Sequence, residues 1–361
     1  MRRMKGNHIC FMVIAVMLAC SPFLVRSSSM VQFLGKCMCY SIVAIALDLI
    51  WGYTGMLSLG HGIYFCLGGY AMAMYLRLRD NGGAVTDFMQ TGGLIELPFF
   101  WKPFLSFPLA LVLIILVPGV LAAVIGYFVF RSRIKGVYFS IITQALTWAA
   151  YSLFIANSKY TGGNNGITDF TSLFGSTRGA ANRGHLTTMF FVALAALVLV
   201  YLFAAWLVNS KFGKLLIAIR DGENRTFFSG YCVNQYKNFI YTVSAVLAGI
   251  GGALFVNFNG SITPSQMTIA YSITMVVWVA VGGRGTIIGA VIGAFFISLC
   301  EYHLSSGALA GIWQYIIGAI FCVTILFFKG GIVGIVQEQI PAFLAKFRTA
   351  PVEEKEKKEA A

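Results

Sequence analysis

The sequence predicts an all-α fold: a polytopic helical membrane protein of about ten transmembrane spans, one or more of them broken by glycine. Three observations carry that prediction. First, 58% of the 361 residues are hydrophobic and only 11% are charged, with mean hydropathy +0.79; soluble domains sit near half apolar and about a quarter charged. Second, runs such as 105–130, 185–208 and 308–328 carry no Asp, Glu, Lys or Arg, each at least as long as the roughly 20 residues a bilayer crossing needs. Third, basic residues cluster between the apolar runs, where they set orientation. Helices are the expected element because they keep every backbone hydrogen bond inside the segment.

Taken in order, the spans are expected near 9–26, 37–54, 58–76, 105–130, 136–156, 185–208, 238–258, 269–281, 286–303 and 309–328. The first follows Arg2, Arg3 and Lys5 and has the outline of a signal peptide, with Met17–Cys20 resembling a lipoprotein cleavage site; further spans follow at once, so it reads as a retained span. Residues 1–330 form one transmembrane unit. Residues 331–361 form a cytoplasmic tail, with a short surface helix over 332–347 and a charged, disordered end from Val352. Eighteen of the 26 basic residues fall on one side if both termini are inside, which places both termini in the cytoplasm by the positive-inside rule. The net charge of +13 is distributed in this way and not as an arginine-rich, aromatic-interleaved patch, which sets nucleic acid aside as a partner and leaves the lipid bilayer. The eight cysteines are scattered, mostly in apolar runs, and read as small buried hydrophobes; Cys37 and Cys39 lack a second pair at zinc spacing, so no metal site is expected.

Residues 52–62, GYTGMLSLGHG, interrupt this pattern. Each interior glycine costs about 1 kcal/mol of helix relative to alanine, so Gly52, Gly55, Gly60 and Gly62 predict a break. Irregular backbone at membrane depth is tolerated only when buried in protein or lining a watery cavity, and transporters build pathways at such breaks. Tyr53, Thr54, Ser58 and His61 then become candidate pathway residues. Asp48 joins them as an ionisable group one helical turn earlier; Glu301, beside His303, lies near the end of its span. On the fifth span Tyr138, Ser140, Thr143, Gln144 and Thr147 form a polar stripe, which either binds helices together or adds Thr143 and Gln144 to the route. The outer stretch 160–170, YTGGNNGITDF, is turn-rich and suited to meeting a delivering partner.

The inner loop 209–237 is the most informative polar piece. Phe212, Leu215, Leu216 and Ile219 fall at i, i+3, i+4 and i+7, an amphipathic helix. Asp221-Gly222 should break it, and a second short helix should run over 223–229 to Gly230. Such an element fits the groove of a cytoplasmic partner. No P-loop, HExxH or GxSxG with plausible partners occurs, so the chain is expected to be no enzyme and to hold no cofactor.

In that order, GYTGMLSLGHGIYFCLGGYAMAMYL, TGGNNGITDF, AIRDGENRTFFSGYCVNQYK and VAVGGRGTIIGAVIGAFF resemble motifs of branched-chain amino-acid type ABC permeases, over about residues 38–330. Asp48-Leu-Ile-Trp and Asp169-Phe170 resemble the urea branch. The resemblance implies a heteromeric importer in the bacterial inner membrane: a second permease subunit, two cytoplasmic ATPase subunits that bind the ATP, and a periplasmic solute-binding protein. It further implies that Gly213, Arg220, Asp221, Glu223, Arg225 and Gly230 meet the ATPase. The loop departs from the common Glu-Ala-Ala signature, having Glu223-Asn-Arg-Thr-Phe-Phe-Ser-Gly. Urea needs only neutral donors and acceptors (Thr54, Ser58, Gln144), and the scarcity of paired charges in the spans favours it over a branched-chain amino acid. A stand-alone carrier or channel would instead use Asp48 or Glu301 for ion coupling, and the amphipathic loop weighs against it.

Overall fold

A computed structural model describes residues 2–25, 27–134, 136–173, 183–305, 311–327 and 330–334. The expected tail helix over 332–347 and the charged end lie outside these residues except for a single turn.

The described residues are helical almost throughout. In chain order they form α1 (Arg2–Leu24), α2 (Ser28–Thr54), α3 (His61–Asp80), the short α4 (Asp87–Thr91), α5 (Phe107–Arg131), α6 (Val137–Ala156), the single turn α7 (Ser158–Thr161), α8 (Arg183–Asn209), α9 (Lys211–Phe228), α10 (Val233–Asn259), α11 (Ile269–Gly282), α12 (Ile287–Ser305), α13 (Trp313–Phe327) and the single turn α14 (Gly331–Gly334). Six of them, α2, α5, α6, α8, α10 and α12, are long and apolar enough to cross a membrane. His8–Leu24, Ile269–Gly282 and Trp313–Thr324 are apolar but shorter. Of the ten expected spans the third, in α3, falls short for a compositional reason: its 20 residues include three glycines, His61, Arg77, Arg79 and Asp80.

Helices α2, α3 and α10 make the centre, and α10 packs along α2, α3 and α5. Small residues allow the closest approach: a Cβ at Gly68 would strike the Gly249 carbonyl, and one at Gly252 the Phe65 carbonyl. Close backbone contact of this kind is how helices associate where no hydrophobic force separates lipid from protein. The glycines of 68–69 and 249–252 are thus packing positions. By contrast α6 lies on the outside: 17% of its most apolar stretch is buried, against 78% for α2.

Register along α10 gives the directions. Ala46 meets Ser244 while Val43 and Cys39 meet Gly251, so α2 runs opposite to α10. His61 meets Ser244 and Gly68 meets Gly249, so α3 runs with α10. The chain therefore reverses between α2 and α3. At one end of the bundle the C-terminus of α2 meets α9 and the turn between α11 and α12. At the opposite end β1 (Ile167–Thr168) pairs antiparallel with β2 (Ser261–Ile262), and Arg79 and Asp80 hold the neighbouring 171–173 segment.

Candidate translocation and coupling site

The interruption predicted at 52–62 narrows to 55–60. Helix α2 stops at Gly55, whose φ of 80° is open to glycine and costly for other residues; its N–H closes on the Trp51 carbonyl. From there the chain climbs back, without helical structure, to His61 at the head of α3. Gly60 lies against Thr143 and Thr147, near the middle of α6, and His61 reaches Ser244, twelfth of the 27 residues of α10. The head of α3 is thus near mid-depth in the bundle.

Three hydroxyls of the α6 stripe serve this segment, while Tyr138 is exposed. Ser140 Oγ donates to the Leu57 carbonyl (2.7 Å), Thr143 Oγ1 accepts from the Leu59 N–H (3.1 Å), and Thr147 Oγ1 donates to the Leu59 carbonyl (3.1 Å). Unpaired backbone groups cost about as much as lost hydrogen bonds, and these hydroxyls replace the partners a helix would have supplied. Gln144 is half-buried on the same helix.

His61 is buried and doubly held. Its Nε2 is 2.7 Å from Ser244 Oγ, which donates to the Ala46 carbonyl, and its Nδ1 is 3.1 Å from Ser58 Oγ, which accepts from the Gly60 N–H. An imidazole carrying its proton on Nε2 satisfies this set completely. Thr54 Oγ1 donates to the Ile50 carbonyl within its own helix. Tyr53 is buried and lines a separate cavity of about 170 Å³ with His8, Tyr201 and Thr286.

A second interruption was not predicted. After α10 the chain passes through β2 and then descends over 263–268, with Pro264–Met267 in a 3-10 turn, to start α11. Ile262 packs against Gly69, whereas a Cβ on Gly62 would lie 2.8 Å from both the Gln266 carbonyl and Ser272 Oγ. The segment thus comes down about two turns of α3 and meets the first interruption. The sequence signal was Pro264 within SITPSQMT together with a short following helix, a pattern that also fits an ordinary surface loop.

The α9 end gathers the charges. Arg220 donates through Nη1 to the Gly52 carbonyl (2.8 Å) and pairs with Asp221 (2.9 Å). Arg284, read from sequence only as an orienting charge, donates through Nε to the Trp51 carbonyl (3.0 Å) and stacks on the Trp51 ring. Cations at a helix C-terminus complement its dipole; Arg220 satisfies the Gly52 carbonyl left open when α2 stops, and Arg284 is a second donor to the Trp51 carbonyl that the Gly55 N–H already meets. Partial burial and the neighbouring Arg220 lower the Arg284 pKa from its ordinary value, with Asp48 opposing; the reference value is so high that the guanidinium stays charged. Asp48 is buried, and its Oδ1 accepts from the Gly285 N–H (2.7 Å). Its Oδ2 is buried with no hydrogen-bond partner among the described residues.

Helix α9 carries the predicted break: Gly222 is non-helical between two helical pieces. Beyond it Glu223 pairs with the buried Lys237 of α10 (2.8 Å). Arg220, Asp221, Glu223 and Lys237 line a cavity of about 260 Å³ together with Thr54 and Gly55. Gly213 is buried at the head of α9, where a Cβ would strike the Val208 carbonyl. Arg225 and Gly230 are exposed, as is Phe228 at 85%. The structure therefore joins Asp48, Arg220, Asp221 and Glu223 at one end and Ser58, His61 and Thr143 near mid-depth, with Gly213 and Gly230 apart.

A bundle of apolar helices with non-helical segments meeting at mid-depth and an amphipathic helix at one end is the architecture of a membrane permease. The chain belongs to the family described as branched-chain amino acid transport system / permease component, whose model matches residues 29–326. It is 25% identical to the high-affinity branched-chain amino acid transport system permease protein LivM of Escherichia coli, over 80% of this chain and 66% of the relative's length. A probable branched-chain amino acid transport permease protein LivM of Methanocaldococcus jannaschii is 21% identical over 80% of this chain and 88% of its own length. The ribose import permease protein RbsC of Escherichia coli is 24% identical over 55% of this chain and 62% of its own. The match thus spans just under two thirds of the Escherichia coli LivM chain. No solved structure matches. These relatives are transport permeases, not enzymes.

Proposed function

We propose that the chain is the membrane-spanning subunit of an ATP-driven importer in a bacterial inner membrane, forming half of a translocation pathway for urea. The observation that carries this reading is the junction of α9 with the α2 terminus through Arg220 and the Gly52 carbonyl (2.8 Å). It fastens the amphipathic polar helix α9 to the helix that leads into the first interruption. An ATPase pair that binds the ATP grips α9 from the cytoplasm, where exposed Phe227, Phe228 and Tyr231 offer aromatic anchors. A second permease subunit covers the exposed faces, and a binding protein delivers solute at the opposite end. Ten crossings follow when α1, α3, α11 and α13 are added to the six long apolar helices, with both termini cytoplasmic. The groups near the meeting of the two interruptions are hydroxyls, amides and a neutral imidazole, which suits an uncharged solute.

A second reading, transport of a branched-chain amino acid, is favoured by the printed names of the LivM relatives. The deciding measurement is uptake of labelled urea and labelled leucine by cells making this chain alone or with its co-purifying partners. Urea uptake that requires partners and ATP supports the proposal; leucine uptake moves the assignment to the second reading. Uptake by the chain alone removes the importer altogether. Within the importer, replacing Glu223 and Arg225 together is expected to lower solute moved per ATP at least tenfold; an unchanged ratio withdraws α9 as the coupling element.

A further inference from the structure

Three features of the α9 end have a common explanation. Arg220, on α9, is fastened to the Gly52 carbonyl (2.8 Å). One turn earlier on α2, Asp48 holds the Gly285 N–H (2.7 Å) in the turn between α11 and α12. The second oxygen of that carboxylate is buried and has no hydrogen-bond partner among the described residues. The last turn of α2 therefore fixes two elements at once: the helix offered to the ATPase, and the turn that ends α11, the helix beginning at the second interruption.

A buried carboxylate oxygen without a partner is expensive, and a cation stands close by. Arg220 Nη1 lies 3.9 Å from where a Cβ on Gly285 would be, next to the very residue that Asp48 binds. Gly52 and Gly285 put no side chain of their own at this junction; a Cβ on Gly52 would strike Asp48 Oδ1 and lie 2.6 Å from the Gly285 nitrogen. The cavity of about 260 Å³ beside Arg220 and Gly222 gives α9 space to shift, and the non-helical Gly222 gives it a joint.

We propose that Asp48 and Arg220 form a two-position latch, in which movement of α9 transfers the Arg220 guanidinium from the Gly52 carbonyl to Asp48 Oδ2 and thereby repositions the 283–285 turn and α11. Arg284 stays on the Trp51 carbonyl and keeps the end of α2 capped in both positions. Asp48 and Arg220 are positioning residues here, and neither touches solute. The latch rests on α9 being the coupling element, and it adds that the signal reaches the second interruption through α2.

The test uses the complete importer in lipid nanodiscs, with hydrogen exchange followed over peptides spanning 280–288 as nucleotide is added. In the wild-type complex exchange in these peptides is expected to change at least threefold on ATP binding. In Arg220→Gln that change is lost, and in Arg220→Lys it is partly retained. Asp48→Asn keeps an oxygen for the Gly285 N–H but gives up the charge, so it behaves like Arg220→Gln. Both variants lower solute moved per ATP by tenfold or more, and the double variant is no worse than either single one. Exchange over 280–288 that ignores nucleotide in the wild type overturns the latch without recourse to any variant. Losses that multiply in the double variant overturn it as well. Failure of the coupling reading itself looks different: α9 peptides would then be untouched by nucleotide.

Discussion

The bundle is interrupted twice at mid-depth, and the two interruptions are built from different materials. The segment 55–60 begins and ends on glycine, and its backbone is served by a neighbouring helix: Ser140, Thr143 and Thr147 of α6 take up the groups of Leu57 and Leu59. The segment 263–268 serves itself. Thr268 Oγ1 donates to the Ser265 carbonyl and accepts from the Tyr271 N–H, capping α11 from within, and Thr263 pairs with Ser265. The first interruption has both nitrogens of His61 and the backbone of Leu59 held; the second, with the head of α11, leaves Gln266 Oε1 and Ser272 Oγ buried without hydrogen-bond partners among the described residues. They also belong to units running in opposite senses, α2 into α3 and α10 into α11. The contrast suggests a held element and a movable one, since satisfied polar networks rigidify what they join.

That contrast can be broken most forcefully where the two segments touch. Gly62→Leu puts a side chain into the Gln266 carbonyl and Ser272 Oγ, and overpacking of this kind costs about 1–3 kcal/mol or more. Uptake by the reconstituted importer is expected to fall by well over tenfold; near-normal uptake would mean that the two segments need not meet. A sharper comparison sets His61→Ala against Ser272→Ala. The first takes one partner from each of the hydroxyls of Ser58 and Ser244, a loss of about 1–3 kcal/mol, seen as a drop of several degrees in the melting midpoint in detergent. The second removes a group that has no partner and should change the midpoint little. If Ser272→Ala proves the more damaging, the assignment of held and movable segments is reversed. The smallest effects separate borrowed from internal support: Thr143→Val and Thr268→Ala each cost about 1 kcal/mol. Hydrogen exchange should then rise at Leu59 in the first variant and at Tyr271 in the second, with no crossover.

The first interruption was legible because glycines in an apolar run have few other uses. Four of them within eleven residues, beside a histidine, marked the place and its depth. The purpose of the α6 stripe was not legible. Hydroxyls at helical spacing look alike whether they face a route, another helix or a stretch of open backbone, and only the register of Leu57 and Leu59 separates these. The second interruption was hidden for a related reason: SITPSQMT after an apolar run is what an exposed connection looks like. The pairing of β1 with β2, Thr168 against Ser261 and Ile167 against Ile262, shows instead where the descent begins. At the α9 end the amphipathic spacing and the Gly222 break could be read, since both are local. Arg284 was visible only as a charge, because its partner, the Trp51 carbonyl, is 233 residues away.

The wide separation of these partners bears on how the chain is made. Leu59 waits for Thr143, 84 residues downstream, and His61 waits for Ser244, 183 residues downstream. At synthesis rates of about 5–20 residues per second the second delay is on the order of ten to forty seconds. For that interval the imidazole at the start of α3 depends on water or the insertion machinery, and so does the 55–60 backbone until α6 arrives. Biogenesis of the early spans is therefore provisional until α10 arrives, and a nascent chain halted between residues 150 and 230 should be the form most readily taken by quality-control proteases.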